Sequence, residues 1–314
     1  MLFEDSEHPN DYEGHYFDPG EAASSTVFFI IGVLSVFVFL RIALYHYRHG
    51  FETHFQKIFF VCTANDLVAH YSFMFRVRIP TWGFFEVFWY VREGFFPGLV
   101  SWMSEYCIMF QYLGTLLIAL NRATALAFPY KYVKIWGPYT WHYIGITALI
   151  PLIYRAPSFT ATSKFYRLGW GLYIPHTTEN GDFAVSVQKG YYPICGVVIV
   201  LTLLVNLYTA FKLFTYTKAM HKRELRFHIT TLAQFSAQLI NTLELILVNT
   251  IYLNESYVIF LLQPIFADIA NFLPLWVLLL ISEETRLMVA GRHQMPSSVS
   301  VISVTEYLNI KVVR

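Results

Sequence analysis

The sequence predicts an all-α membrane protein, a bundle of seven transmembrane helices with the N-terminus outside and the C-terminus in the cytoplasm. The 314 residues are 56% hydrophobic and only 14% charged, whereas a soluble domain carries about 25% charged residues. Seven apolar segments are long enough to cross a bilayer, which takes about 20 residues. The Lys and Arg residues between these segments are unevenly distributed, and this bias predicts the orientation.

The seven predicted spans are, in chain order, 26–46, 57–79, 98–122, 140–161, 191–215, 226–252 and 257–281. The first contains the charge-free run VFFIIGVLSVFVFL and the fifth the charge-free run GYYPICGVVIVLTLLVNLYTAF. The fourth span holds one Arg, and the other four hold one acid each. The chain is therefore expected to divide into an extracellular acidic segment at 1–25, a seven-span domain at 26–292 and a cytoplasmic tail at 293–314.

The charge distribution places the N-terminus outside. In this orientation the inner segments carry fifteen Lys and Arg residues and the outer segments carry six. The first 25 residues hold seven acids and no Lys or Arg, so nothing there opposes export. Asn254, in the sequon NES, falls in the predicted outer loop between spans six and seven, where it is a candidate for glycosylation unless the membrane lies too close. A net charge of +1 argues against a nucleic-acid partner.

The stretch LNRATALAFPYKYVKIW, Leu120–Trp136, crosses the cytoplasmic end of span three. It resembles the inner end of the third helix in G-protein-coupled receptors, where an acid–Arg pair is followed by a Pro at the same spacing. In those receptors the Arg is part of the switch that opens the cytoplasmic face to a G protein. Here Arg122 follows Asn121 and precedes Pro129 by seven residues. An uncharged Asn121 cannot form an ionic lock, and the alternative is an Arg that reaches the headgroups from a helix end.

The longer string NRATALAFPYKYVKIW is similar to a signature of the nematode serpentine chemoreceptors, class gamma, with class V close. The segment DIANFLPLWVLLLISEETR resembles the last span of that family. The resemblance implies a chemosensory receptor, not an enzyme and without a cofactor, that binds an environmental or pheromone small molecule and activates a heterotrimeric G protein. It also implies a multi-pass protein of the plasma membrane, in the cilia of sensory neurons.

Three ionisable residues are candidates for an outer ligand-binding cavity between helices, where such sites commonly form. Glu105 lies seventeen residues before Arg122, which is about 25 Å along the helix. Arg155 in span four and Glu244 in span six lie at a similar height. Charged side chains in spans are costly and usually face the bundle interior. Arg155 could pair with either acid, and the alternative is that each residue simply reaches the headgroup region.

A mid-membrane polar cluster is predicted from Asp66 in span two with Asp268 and Asn271 in span seven. Asp66 lies about 14 Å deep from the inside and Asp268 about 16 Å deep from the outside. Asn271 shares the helix face of Asp268. Two carboxylates in a dry site cannot both stay ionised cheaply, so either one is protonated or a cation such as Na⁺ lies between them. The alternative is a static hydrogen-bonded network without a switching role.

Other multi-span proteins remain alternatives to a receptor. A transporter would show internal repeats or paired broken helices, and no repeat is evident in the sequence. An intramembrane hydrolase would hold a metal through several facing His residues, whereas His70 is the only His well within a span. A ligand-gated channel with inverted topology would need the opposite charge bias.

Overall fold

The computed structural model describes residues 19–79, 93–159, 163–167, 173–177, 181–215, 221–250 and 257–291. Within these ranges the chain is almost entirely helical. The helices are α1 Pro19–His49, α2 His54–Phe73, α3 Phe95–Ala127, α4 Pro129–Trp136, α5 Thr140–Phe159, α6 Gly181–Thr215, α7 His221–Thr250, α8 Tyr257–Ile281 and α9 Glu283–Ala290. A π-helical segment, Met74–Arg78, continues α2. The predicted all-α membrane fold class is confirmed.

The predicted spans coincide with α1, α2 with its π-helical segment, α3, α5, α6, α7 and α8. Among the described residues, four helices are long and apolar enough on their own to cross a membrane. A fifth is added if Ile265–Ile281 and α9, which are bent by 97° relative to each other, count as one span. We call the end of the bundle that holds Arg122 the inner end and the opposite end the outer end, following the predicted orientation.

A small antiparallel sheet, which the sequence analysis did not predict, crosses the outer end. Its strands are β1 Glu93–Gly94, β2 Ser163–Arg167 and β3 Tyr173–Thr177, in the order β1-β2-β3. Tyr166 pairs with Ile174 in the register of β2 and β3. β2 contacts α3, and β3 contacts the π-helical segment. Strands this short give little periodicity in a sequence, which explains why hydropathy alone missed them.

Local signals fix several helix ends at the inner side. Thr53 and Gln56 form a reciprocal capping box at the start of α2, which satisfies two backbone donors that have no partner in the helix. Pro129 occupies the first turn of α4, where its missing N–H costs nothing. Ser282 caps α9, and Gly291 ends it with a φ of 69°, a left-handed conformation that glycine adopts without strain.

Helix α3 is the central element of the bundle. It packs against α2, α5, α6 and α7, while α8 packs against α7, α2 and α1. One apolar cluster at the inner half joins α2, α3, α7 and α8 through buried side chains, among them Phe55, Ile118, Phe227 and Leu278. A polar side chain that α3 buries on these faces is therefore within reach of several helices. The candidate site residues of α3 lie on these faces.

Candidate functional site

Arg122, near the inner end of α3, packs against two aromatic rings that also contact each other. Its guanidinium carbon lies 4.4 Å from the ring centroid of Phe55 on α2 and 5.0 Å from that of Phe227 on α7. The two rings are themselves 4.5 Å apart. A cation over an aromatic face is attracted by the ring quadrupole. We call Arg122, Phe55 and Phe227 the aromatic clasp, and it joins α3 to both neighbouring helices.

Asn121 connects the aromatic clasp to the loop helix α4. Its side-chain oxygen accepts a hydrogen bond from Arg122 at 2.8 Å, and its side-chain nitrogen donates to the Tyr132 hydroxyl at 3.1 Å. The Trp136 indole N–H donates to the Thr124 hydroxyl at 2.7 Å, which ties the other end of α4 to α3. An amide donates and accepts at once, so Asn121 bridges two groups that a carboxylate could contact only as an acceptor.

The aromatic clasp borders an apolar cavity between α1, α2, α7, α8 and α9. Phe55 and Phe227 line this cavity together with Phe59, Leu278 and Met288. Side chains in a close-packed interior have little room to move. The cavity lies beside both Phe rings of the aromatic clasp, so close packing is incomplete there.

The structure brings together two of the three predicted ligand-binding residues. An Arg155 side-chain nitrogen lies 3.0 Å from a Glu105 carboxylate oxygen, which joins α5 to α3. Arg155 is 2% exposed and Glu105 is 20% exposed, so the carboxylate is the more accessible member of the pair. Arg155 also lies over the Tyr154 ring. The backbone of Glu244 belongs to α7, but its side chain lies outside the described part of the structure.

Gln111, a residue that the sequence analysis did not single out, connects Asp66 to Asn271. Its side-chain nitrogen donates to an Asp66 carboxylate oxygen at 2.9 Å and to the Asn271 side-chain oxygen at 2.6 Å. Its backbone carbonyl accepts a bond of 2.7 Å from the Gln238 side chain on α7. All four residues are buried. We call Gln111, Asp66, Asn271 and Gln238 the glutamine network, and it joins α2, α3, α7 and α8.

Asp268 has different partners from those expected. One carboxylate oxygen lies 2.6 Å from His70 Nδ1, and the other forms an ion pair with Arg78. Asp66 bonds instead to Gln111, so the two carboxylates belong to neighbouring groups. The sequence analysis expected the two carboxylates to share a proton or a cation. Asp268 instead has the Arg78 guanidinium as its counter-charge, so its charge is balanced without a proton or cation shared with Asp66. Asn271, one turn along α8, connects the two groups.

The residues that contact the candidate site and that sequence reasoning missed carried weak signals. Gln111 is uncharged and lies within an apolar run, but it precedes Arg122 by eleven residues, about three helical turns, and therefore shares its face of α3. Phe55 and Phe227 are two of 29 Phe residues, and no spacing marks them. Arg78 lies at the end of span two, where a snorkelling side chain is the ordinary expectation. Asn254 lies outside the described residues.

Comparison with known proteins places most of the chain in one family. Residues 24–295 match the family model described as serpentine type 7TM GPCR chemoreceptor Srv. A search of curated proteins gave no match. The family match covers most of the chain and all seven predicted spans, and it confirms the resemblance to nematode serpentine chemoreceptors. The chain therefore belongs to the Srv family of serpentine-type seven-transmembrane GPCR chemoreceptors.

Proposed function

We propose that this chain is a plasma-membrane receptor, with its N-terminus outside, that binds an environmental or pheromone small molecule and activates a heterotrimeric G protein. By the family resemblance, the cilia of sensory neurons are its proposed location. A receptor role without catalysis fits the chemoreceptor family to which the chain belongs. The observation that carries the proposal is the aromatic clasp, since it ties α7 to α3 through the Arg that follows the receptor pattern.

The aromatic clasp replaces the ionic lock that Asn121 cannot form. In the described arrangement the Arg122 guanidinium is buried against Phe227 of α7 and bonded to Asn121. Movement of α7 away from α3 would remove Phe227 from the guanidinium. Arg122 would then be available to a partner on the inner face. Asn121, through Tyr132, links the same step to α4.

The Glu105–Arg155 pair is the proposed ligand contact at the outer end, with Glu244 as a third candidate. Because the Glu105 carboxylate is the more exposed partner, a ligand with a cationic or hydrogen-bond-donating group fits this position best. Charge complementarity of this kind gives specificity as well as affinity.

Asp66, Asp268 and Asn271 are proposed as a polar switch between the two ends, with Na⁺ as the candidate ion beside Asp66. The glutamine network supports this role, since it contacts four helices near the middle of the bundle. Intramembrane ionisable residues are costly and commonly mark functional positions. A static network remains the alternative.

Coupling is tested in cells that report G-protein activation. The parent receptor is first screened in these cells to find a ligand that activates it. Arg122→Ala should reach the cell surface and abolish signalling, because it removes the cation from the clasp and from the proposed G-protein contact. Phe227→Leu should instead raise basal signalling, by about 2- to 30-fold if the lost cation–π contact contributes about 0.5–2 kcal/mol.

Two controls accompany these variants. Arg48→Ala removes an exposed Arg near the inner end of α1 and should leave signalling unchanged, while Phe227→Tyr keeps an aromatic face and should preserve low basal activity. Normal signalling by Arg122→Ala at equal surface level would contradict the switch role. Ligand-dependent solute uptake without G-protein activation would favour the transporter alternative.

A further inference from the structure

Three buried ionisable side chains meet between α2 and α8 in the outer half of the bundle. Asp268 binds His70 through one oxygen and Arg78 through the other. The exposed fractions of His70, Arg78 and Asp268 are 0%, 1% and 1%. We call these three residues the ionic triad. It lies apart from the aromatic clasp and from the Glu105–Arg155 pair, and the proposed function does not use Arg78 or His70.

The geometry of α2 is adapted to the ionic triad. The α-helix changes to a π-helical segment at Met74–Arg78, which begins four residues after His70, one helical turn along the chain. π-Helical turns are rare and occur frequently at functional sites. Arg78 lies at the end of this segment, where one side-chain nitrogen reaches Asp268 and another contacts the Met74 sulfur at 3.4 Å. The guanidinium also lies 5.4 Å from the Phe28 ring on α1.

Helix α1 packs against the His70 ring of the ionic triad at Gly32. A Cβ atom at this position would lie 2.6 Å from His70 Nε2 and 3.0 Å from His70 Cδ2. Real Cβ atoms essentially never come within 3.0 Å of another heavy atom, so only glycine leaves room for the imidazole in its place beside Asp268. Gly32 is thus a positioning residue, since it acts on Asp268 only through the His70 ring.

The ionic triad is a poor device for stability alone. Removing charges from water in the interior costs free energy, and an apolar pair of similar volume often replaces a buried ion pair without loss. An ion pair instead fixes one relative position of two helices, because displacement of either helix leaves a buried charge without its partner. The triad is also linked to the rest of the core, since Asn271 follows Asp268 by one turn and binds Gln111.

We propose that the ionic triad is a latch that holds α8 against α2 and α1 in the resting receptor, and that its opening lets α8 move and drives the receptor toward the signalling state. The signalling part rests on the proposed function. The latch itself does not, because its opening is a change in helix mobility that can be measured without any G protein.

The decisive variant is the double substitution Arg78→Met with Asp268→Leu. It removes the latch and leaves no unpaired charge between these two positions, so the bundle is expected to fold. In purified receptor in lipid nanodiscs, hydrogen exchange measures local opening. We expect the backbone amides of 265–281 to exchange faster in the double variant than in the parent protein. Unchanged exchange in a folded double variant overturns the proposal.

A second variant opens the latch without changing any charge. Gly32→Ala should displace the His70 ring and also speed exchange in 265–281. Gly196→Ala is the matched control, because a Cβ at that helical glycine meets no atom within 4 Å. Equal exchange in the two alanine variants removes Gly32 and His70 from the latch.

Basal signalling gives the second readout. The double variant should raise ligand-independent G-protein activation by about fivefold or more, within the usual range of coupling between sites, and added Arg122→Ala should abolish the increase. Faster exchange without raised signalling supports the latch and contradicts its coupling to a G protein, so the two failures are distinguishable.

Discussion

Glu105 combines partial exposure with a buried counter-charge. Its carboxylate pairs with Arg155, which is almost fully enclosed. Breaking a pair of this kind by changing one partner leaves the other charge uncompensated, and this penalty is a large part of the measured effect. A single substitution of Glu105 therefore changes both the proposed ligand contact and the state of Arg155.

Glu105→Gln is expected to weaken the response to ligand, most strongly for a cationic ligand. The loss of a buried charge partner costs about 2–5 kcal/mol at an interface, and the partial exposure of Glu105 should reduce the effect toward the lower end. The measurement is a dose–response curve at equal surface level. Glu52→Gln, an exposed acid before α2, is the control. An unchanged curve would remove Glu105 from the site.

The double variant Glu105→Gln with Arg155→Gln separates ligand binding from the ion pair. If Glu105 contacts the ligand directly, removal of Arg155 in addition should not restore the response. Full recovery in the double variant would show that the single substitution acts only through the unpaired Arg155 charge.

At the scale of helices, α2 and α8 are joined by two groups, the glutamine network through Asn271 and the ionic triad through Asp268. Asn271 and Asp268 lie one turn apart on one face of α8. Asp66 reaches this face through Gln111 of α3, and Asp268 reaches α2 through His70 and Arg78. The depth of each residue in its span could be predicted from the sequence. The partner of each carboxylate could not, because pairing depends on how far each helix is rotated about its axis.

A double-mutant cycle with Asp66→Asn and Asp268→Asn tests the polar switch. Residues in one hydrogen-bond network couple by about 0.5–3 kcal/mol, so the effects on basal and ligand-driven signalling should not add. Signalling by the parent receptor should also depend on sodium. Additive effects without sodium dependence would exclude both the switch and its ion.

Gln111→Leu provides the control for the connecting path. It removes the donor shared by Asp66 and Asn271 and should abolish the coupling between the two Asp substitutions. Coupling that persists in this background would have to pass outside the glutamine network.

At the scale of the whole molecule, the orientation of the bundle remains a prediction from charge. With fifteen Lys and Arg residues on one side and six on the other, we expect an N-terminal epitope tag to be accessible on intact cells and a C-terminal tag only after permeabilisation. Loss of a glycan on Asn254→Gln would place the loop between α7 and α8 outside as well. The reverse accessibility of the tags would contradict the orientation.

Composition and hydropathy determined the fold class by themselves, because a bilayer admits few solutions for a chain with long apolar segments. The same signals located Arg122 and Pro129 at the end of a span, and the short motif around them was enough to indicate the receptor family. Each of these conclusions depends only on composition or on spacing along the chain.

Only the tertiary structure decided which side chains meet. Arg122 is bound by two Phe residues from different helices, and Asp268 is neutralised by Arg78 rather than coupled directly to Asp66. The π-helical segment and the close approach of α1 at Gly32 bear on the contacts of Asp268. Neither follows from hydrophobic periodicity, because a change in helix rotation alters the partners of every inward side chain while leaving the sequence pattern the same.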